Sequence, residues 1–284
     1  MTPYILEVQN LHFHYPDGSR ALQGINMLIN QNSKVALLGP NGAGKSTLFL
    51  HFNGLLKPCA GKIRYQGADF EYHKAFLKSL KKRVGIVFQN PDHQIFSASV
   101  KQDISFGLFN LGYSVQEVAA RVEEVGEKLG IGDLFDKPTH FLSVGQKKMV
   151  ALAGVVVMQP EILICDEPNA GLDPGNYKIL MDSLDTLHRE GCTVIISTHD
   201  VDFAYSWADM AFILDQGQIL QQGTIEQVFK DLSVLEKANL KQPWVLETWK
   251  KMGENGIISN RLPLPRNQEQ LYRMMADITL IRQA

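Results

Sequence analysis

Gly39-Pro40-Asn41-Gly42-Ala43-Gly44-Lys45-Ser46-Thr47 fits the pattern G-x-x-x-x-G-K-[ST] residue for residue. It lies between the apolar run Lys34-Val35-Ala36-Leu37-Leu38 and the helix-like Lys45 to Leu50, which is the strand–loop–helix setting such a loop requires. Glycines let successive backbone N–H groups curl around phosphate oxygens without side-chain clash. Those amides, with the positive end of the following helix, make an anion-binding concavity. In this reading Lys45 reaches the β- and γ-phosphates as a point charge, and the Ser46 hydroxyl ligates Mg²⁺.

The rest of the chain sets bounds on that reading. A length of 284 residues allows one large domain or a main domain with an appendage. Hydrophobic content of 45% and charged content of 20% describe an ordinary globular protein. A formal net charge of −2 gives no global reason to expect a nucleic-acid partner. Cys59, Cys165 and Cys192 show no metal-ligand spacing and are too few for a disulfide framework. They point to a reducing compartment, with Cys165 and Cys192 as small buried hydrophobes. Met1-Thr2-Pro3-Tyr4 lacks the pattern of a secretory signal. The longest apolar stretch, Met149 to Met158, is too short to span a bilayer. The expectation is a protein soluble by itself, whose membrane role is peripheral.

Three strands are expected at Ile5 to Tyr15, Ala21 to Ile29 and Lys34 to Leu38, with turns at Pro16-Asp17-Gly18 and Gln31-Asn32-Ser33. Further strands are expected at Gly61 to Gly67 and Val84 to Phe88. From about Val100 to Gly130 the pattern is helical, with Val115, Val118, Ala119, Val122, Val125 and Leu129 at i, i+3, i+4, i+7 spacing. A helix from Ser143 to Val157 follows, then strands at Ile162 to Cys165, Thr193 to Ser197, Met210 to Leu214 and Gln218 to Gln222. Strand–helix alternation in the outer parts predicts a mainly parallel α/β sheet, with a helical subdomain inserted over about 90–158. Residues from 224 to the end read as a helical extension broken at Pro243 and at Leu262-Pro263-Leu264-Pro265.

Three more elements complete a site. Ile162-Leu163-Ile164-Cys165-Asp166-Glu167 is an apolar strand ending in two acids; the first suits Mg²⁺, and the second can orient and deprotonate water. Leu142-Ser143-Val144-Gly145-Gln146 opens a helix, where a serine and backbone amides suit an anion and where Ser143 equally serves as an N-cap. His199 follows an apolar strand in Ser197-Thr198-His199-Asp200, placed to donate a hydrogen bond to a γ-phosphate.

In this order and spacing, over roughly residues 5–223, the elements resemble the ATP-binding cassette family. The resemblance implies a P-loop NTPase fold with a mainly parallel core sheet, an N-terminal antiparallel β-subdomain, the inserted helical subdomain and the C-terminal helical extension. It identifies Tyr15 with the aromatic that stacks on adenine. Gln89, in Val87-Phe88-Gln89-Asn90-Pro91, matches the glutamine that joins the Mg²⁺ shell. Leu142 to Gln146 match the signature loop, Asp173 the loop after the acidic strand, and His199 the switch histidine. The family implies a head-to-tail dimer in which each ATP lies between one subunit's phosphate loop and Ser143 and Gly145 of the other. A chain with one cassette is then expected to homodimerise or to pair with a close relative.

The sequence departs from the family at three places: Val144 stands where a glycine is usual, Met149 where an arginine is, and Asn169 where a threonine is. A β-branched residue disfavours φ > 0, so slowed hydrolysis is expected from Val144, and Val144→Gly should raise turnover. Asn90-Pro91-Asp92-His93-Gln94-Ile95-Phe96 resembles the segment found in ATPases of energy-coupling-factor importers. Gln146-Lys147-Lys148, with Val150-Ala151-Leu152-Ala153-Gly154, is similar to the same group, especially cobalt-transport ATPases. The resemblance implies an integral membrane coupling subunit and a substrate-binding membrane subunit as partners, and a place on the cytoplasmic face of the membrane. Cargo would be cobalt or a related metal ion, or else a vitamin. A soluble non-transport cassette and a regulatory, non-hydrolysing nucleotide-binding module are the rival readings.

Overall fold

The computed structural model describes residues 4–259 and 262–283; the first three residues, on which part of the leader expectation rests, lie outside them. Strands β1 (Tyr4–His14), β2 (Arg20–Asn30) and β3 (Lys34–Leu38) lead into α1 (Lys45–Phe52). Next come β4 (Ala60–Tyr65), β5 (Ala68–Asp69), α2 (Lys74–Arg83) and β6 (Val84–Val87). Helices α3 (Val100–Leu111), α4 (Val115–Leu129) and α5 (Val144–Val156) follow, then β7 (Ile162–Asp166), α6 (Pro174–Arg189), β8 (Thr193–Thr198) and α7 (Val201–Trp207). The chain continues through β9 (Met210–Asp215), β10 (Gln218–Thr224), α8 (Ile225–Val228), α9 (Leu232–Lys237), α10 (Trp244–Glu254) and α11 (Gln268–Gln283).

Two sheets organise the fold. The order β2-β1-β4-β5 forms an antiparallel sheet, and β10-β9-β3-β8-β7-β6 forms a sheet that is parallel from β9 to β6. Side chains alternate across the parallel sheet as a two-residue period demands. Val35, Leu37, Ile162, Ile164 and Ile195 pack toward the antiparallel sheet and α1. Ala36, Leu38, Leu163, Cys165, Val194 and Ile196 pack toward the helices of the inserted subdomain, α6 and α7. Both faces are covered, so the strands read as continuous apolar runs. Cys165 and Cys192 are buried, whereas Cys59 is exposed. No helix among the described residues is long and apolar enough to cross a membrane.

Several elements differ from the sequence reading. β1 stops at His14, because Tyr15 already begins a turn in which its N–H donates to the Ser19 carbonyl at 2.9 Å. The helical stretch expected over 100–130 is two helices, α3 ending on left-handed Gly112 and α4 opening on a capping box of Ser114 and Glu117. Helices α2, α6 and α7 and the short β5 escaped the sequence reading. In α6 the start is Asp173-Pro174-Gly175-Asn176, a cluster that resembles a turn; here Asp173 is the N-cap and Pro174 the first helical residue. The extension beyond β10 is bound to the cassette through Arg266. Its guanidinium donates to the Tyr205 carbonyl at 2.9 Å and the Ala208 carbonyl at 2.5 Å, and pairs with Glu226.

Candidate active site

Parallel pairing brings the chemistry-bearing loops to one edge. Leu38 at the end of β3 pairs with Thr198 of β8, and Ser197 of β8 pairs with Asp166 of β7. The phosphate loop, the two acids and His199 therefore leave the carboxyl ends of adjacent strands, where open parallel sheets bind ligands.

The loop itself shows why its glycines stand where they do. Gly39 (φ 143°) and Gly44 (φ 106°) have positive φ. A Cβ on Gly39 would lie 1.9 Å from the Leu214 carbonyl oxygen, and one on Gly44 would lie 2.6 Å from that of Ala21. Gly44 is the N-cap of α1 and supplies no side-chain hydrogen bond, so the first amides of α1 are left to a ligand. Pro40, Asn41, Gly42 and Ala43 complete the turn, closed by the Ala43 N–H on the Pro40 carbonyl at 3.2 Å. The Lys45 ammonium folds back onto the carbonyls of Gly39 (2.7 Å) and Pro40 (3.0 Å). Burial holds it below the ordinary lysine range, against the pull of Glu167 and Asp166.

A cavity of about 490 Å³ is lined by Tyr15, the loop residues Asn41 to Thr47, Gln89, Asp166 and Glu167. Ser19, Arg20 and Ala21 line it too, and sequence reasoning missed them; they belong to the hairpin after Tyr15 and carry no motif. Tyr15 shares a 2.8 Å hydrogen bond with the Thr47 hydroxyl and meets Phe13 edge-on.

Ser46 donates to Asp166 Oδ2 at 2.5 Å, and Ser197 donates to Asp166 Oδ1. One carboxylate, one hydroxyl and the Gln89 amide beside them make a hard oxygen donor set. No cluster of three acidic, histidine or cysteine ligands occurs among the described residues. So few protein ligands fit Mg²⁺ carried in on phosphate and keeping its waters.

Glu167 is buried and sits at φ 45°, a left-handed conformation costly for a non-glycine residue. It is fixed at three points. Its N–H donates to Ser197 Oγ (2.9 Å), its carbonyl accepts from Lys148 Nζ (3.3 Å), and its Oε2 lies 3.2 Å from His199 Nδ1. Ser197 and Lys148 were not singled out from sequence; Ser197 was legible only as an inward position at a strand end.

Ser143, Gly145 and Asp173 are placed elsewhere: none of them lines the cavity. Ser143 caps α5 in a capping box with Gln146, accepting from its N–H at 3.2 Å. Asp173 caps α6, and hydrogen bonds from the Asn176 amide and side chain hold its carboxyl below the ordinary range. A Cβ on Gly145 would lie 2.9 Å from the Asn176 side chain, so this glycine keeps the starts of α5 and α6 together. Val144 does not carry the backbone strain on which the expected slowing rested. It is the first residue of α5, does not have positive φ, and is 55% exposed, so no backbone strain arises there.

The energy-coupling-type segment is also built in. The Asn90 side chain caps the turn of Pro91–His93, Lys147 bridges to Asp92 at 2.6 Å, and Gln94 Oε1 accepts from the Phe88 N–H at 3.1 Å.

A profile described as "ABC transporter" matches residues 22–170. Over 242 residues the chain is 49% identical to the energy-coupling factor transporter ATP-binding protein EcfA of Methanocaldococcus jannaschii, spanning 85% of this chain and 87% of that one. Over 270 residues it is 44% identical to EcfA3 of Clostridium perfringens, an energy-coupling factor transporter ATP-binding protein, spanning 94% and 95%. Among solved structures it resembles CbiO1 from Clostridium perfringens, described as part of the ABC transporter complex CbiONQ. The TM-score is 0.75 at 44% identity, over 90% of this chain and all of that one.

Proposed function

The chain belongs to the ATP-binding cassette family as a transport ATPase, and from that premise we propose that it energises an energy-coupling-factor importer of cobalt or a related transition-metal ion. The observation that carries the ATPase half is the convergence of the phosphate loop, Ser46, Asp166 and Glu167 on one cavity at the ends of three adjacent strands, with His199 against Glu167. The importer half is supported by identity of 44–49% to EcfA proteins over most of both chains. The metal cargo rests on the likeness of Gln146-Lys147-Lys148 and of Val150 to Gly154 to cobalt-transport ATPases.

In this reading the amides of Gly39 to Thr47 and the Lys45 ammonium hold the phosphates of ATP, and Tyr15 stacks on the base. Ser46, Gln89 and Asp166 would hold Mg²⁺, which would supply neutralisation of the phosphate charge. Glu167 orients a water and takes its proton as the water oxygen bonds to the γ-phosphorus. The bond to the bridging oxygen breaks, and ADP leaves with the electron pair. His199, fixed against Glu167, donates to the transferring phosphoryl group. Ser143 and Gly145 of a second copy, with Asp173 beside them, close over the same phosphate, which makes the unit a homodimer. That dimer sits peripherally on the cytoplasmic face of the membrane, against a coupling subunit and a substrate-binding subunit, with no nucleic-acid partner.

The test is uptake of labelled cobalt by cells carrying this chain with its membrane subunits. Uptake is expected with the parent chain and lost with Lys45→Ala. Uptake of a labelled vitamin in place of metal would overturn the cargo, and uptake that survives Lys45→Ala would overturn the coupling.

A further inference from the structure

Lys148 lies on α5, about one turn beyond its first residue Val144. The residue is 5% exposed. An ammonium has three donors and no acceptor, and here all three go to backbone carbonyls of one loop: Ala170 at 2.6 Å, Pro168 at 3.1 Å and Glu167 at 3.3 Å. Burial pushes this ammonium below the ordinary lysine range. A buried cation whose hydrogen bonds all go to carbonyl dipoles, with the Glu167 carboxylate acting only through space, is an expensive way to fill space. An apolar side chain of similar length would pack there without that cost, but it would take the donor from the Pro168 and Ala170 carbonyls and leave the Glu167 carbonyl with the Ala170 N–H alone.

The partners of Glu167 differ in origin. Ser197 and His199 both come from the end of β8, in the core that carries the phosphate loop. Lys148 alone of the three reaches Glu167 from the inserted helical subdomain. Its helix is also the one that begins at Ser143 and, through Gly145, rests on Asn176 of α6.

We propose that Lys148 is a positioning residue that ties the loop of Glu167 to the signature helix of the same subunit, so that engagement of Ser143 by a second copy's nucleotide sets the geometry of this copy's hydrolytic site. The link is rigid: a displacement of α5 carries the carbonyls of Glu167, Pro168 and Ala170 with it. Glu167 already sits at an unfavourable φ, so loss of one anchor lets the backbone relax and the carboxylate drift. The two nucleotide sites of a dimer are thereby coupled through one side chain per subunit. The inference rests on the proposed roles of Glu167 and Ser143.

The test is steady-state hydrolysis by the purified full-length ATPase as a dimer, for the parent, Lys148→Met, Lys148→Arg and Glu167→Gln. Lys148→Met is expected to lower kcat by about tenfold to a hundredfold, the effect of a misplacement near 1 Å. Nucleotide Kd and KM should stay within about twofold, because no phosphate or base contact is touched. Lys148→Arg, which restores a cation with a different reach, should fall between, with kcat about threefold to tenfold below the parent. A kcat for Lys148→Met within twofold of the parent overturns the proposal, as does a loss that appears in KM alone. If Lys148→Met does not fold, Lys148→Arg decides: a kcat equal to the parent's overturns the proposal. Full turnover by Glu167→Gln would instead sink the underlying assignment of the base and leave the Lys148 anchor to be judged by its own kcat.

Discussion

The two halves of the catalytic apparatus are built differently. The phosphate-loop half is assembled inside one chain: Ser46 already donates to Asp166, Glu167 is pinned by Ser197 and His199, and Lys45 is parked on loop carbonyls within the cavity. The signature half is finished as a surface without a substrate beside it. Ser143 and Asp173 cap helices, Gly145 packs on Asn176, and Val144 is exposed. The lesson is that the first half holds its ligand with strained backbone and buried charge, while the second offers helix starts whose geometry is fixed before any partner arrives. On the proposed reading, a site divided this way binds nucleotide as a monomer and hydrolyses it only when two chains meet.

The most severe break of that comparison strikes the first half alone. Glu167→Gln keeps the shape of the side chain and removes its basicity, so hydrolysis should fall by at least about a hundredfold. Binding through the phosphate loop stays, and the closed dimer should accumulate. Light scattering in saturating ATP is the measurement, and a persistent monomer would refute the division between halves.

A smaller break strikes the second half. Gly145→Ala drives a Cβ to 2.9 Å from the terminal amide nitrogen of Asn176, so the Asn176 side chain must swing aside and give up its hydrogen bond to Asp173. ATP affinity of the monomer should hold, while ATP-driven dimerisation weakens by roughly tenfold or more in concentration midpoint. Its neighbour sharpens the contrast. Val144→Gly relieves no backbone strain, because position 144 is ordinary helix, and turnover should change by less than about twofold. A larger gain in turnover would restore the sequence-based expectation that Val144 brakes hydrolysis.

Legibility followed the same line. The parallel strands were readable because burial on both faces makes unbroken apolar runs such as Ile162 to Cys165. Glycines at the phosphate loop were readable because positive φ and close backbone approach leave no alternative residue type. Lys148 and Ser197 were not readable as site residues. Their partners lie about twenty to thirty positions away in sequence, and a lysine on a helix normally faces solvent. Nor was the start of α6, where Asp-Pro-Gly-Asn carries turn chemistry and helix-capping chemistry in the same letters. Gly145 was read as a phosphate contact, whereas its contact within the chain is with Asn176.

The smallest expected effect probes how tightly the first half is packed from behind. His51 on α1 is fully buried, its Nδ1 lies 2.7 Å from the Thr47 carbonyl, its ring meets Phe13 edge-on, and Nε2 has no partner. Burial lowers its affinity for a proton relative to the ordinary value of 6.5. Below that value the unfolded chain takes up a proton that the folded chain resists. Stability is therefore unaffected by His51 above about pH 6.5 and declines as pH falls through and below it. His51→Leu removes the proton-binding site from both states. Chemical denaturation of the parent and the variant between pH 7.5 and 5 should show a shallower loss of stability in the variant. Because the folded chain excludes the proton, nucleotide affinity of the parent should stay level over the same pH window, even though Thr47 shares this turn of α1 and bonds to Tyr15. Parallel slopes for the two proteins would mean that the wall behind the phosphate loop yields to the charge rather than excluding it.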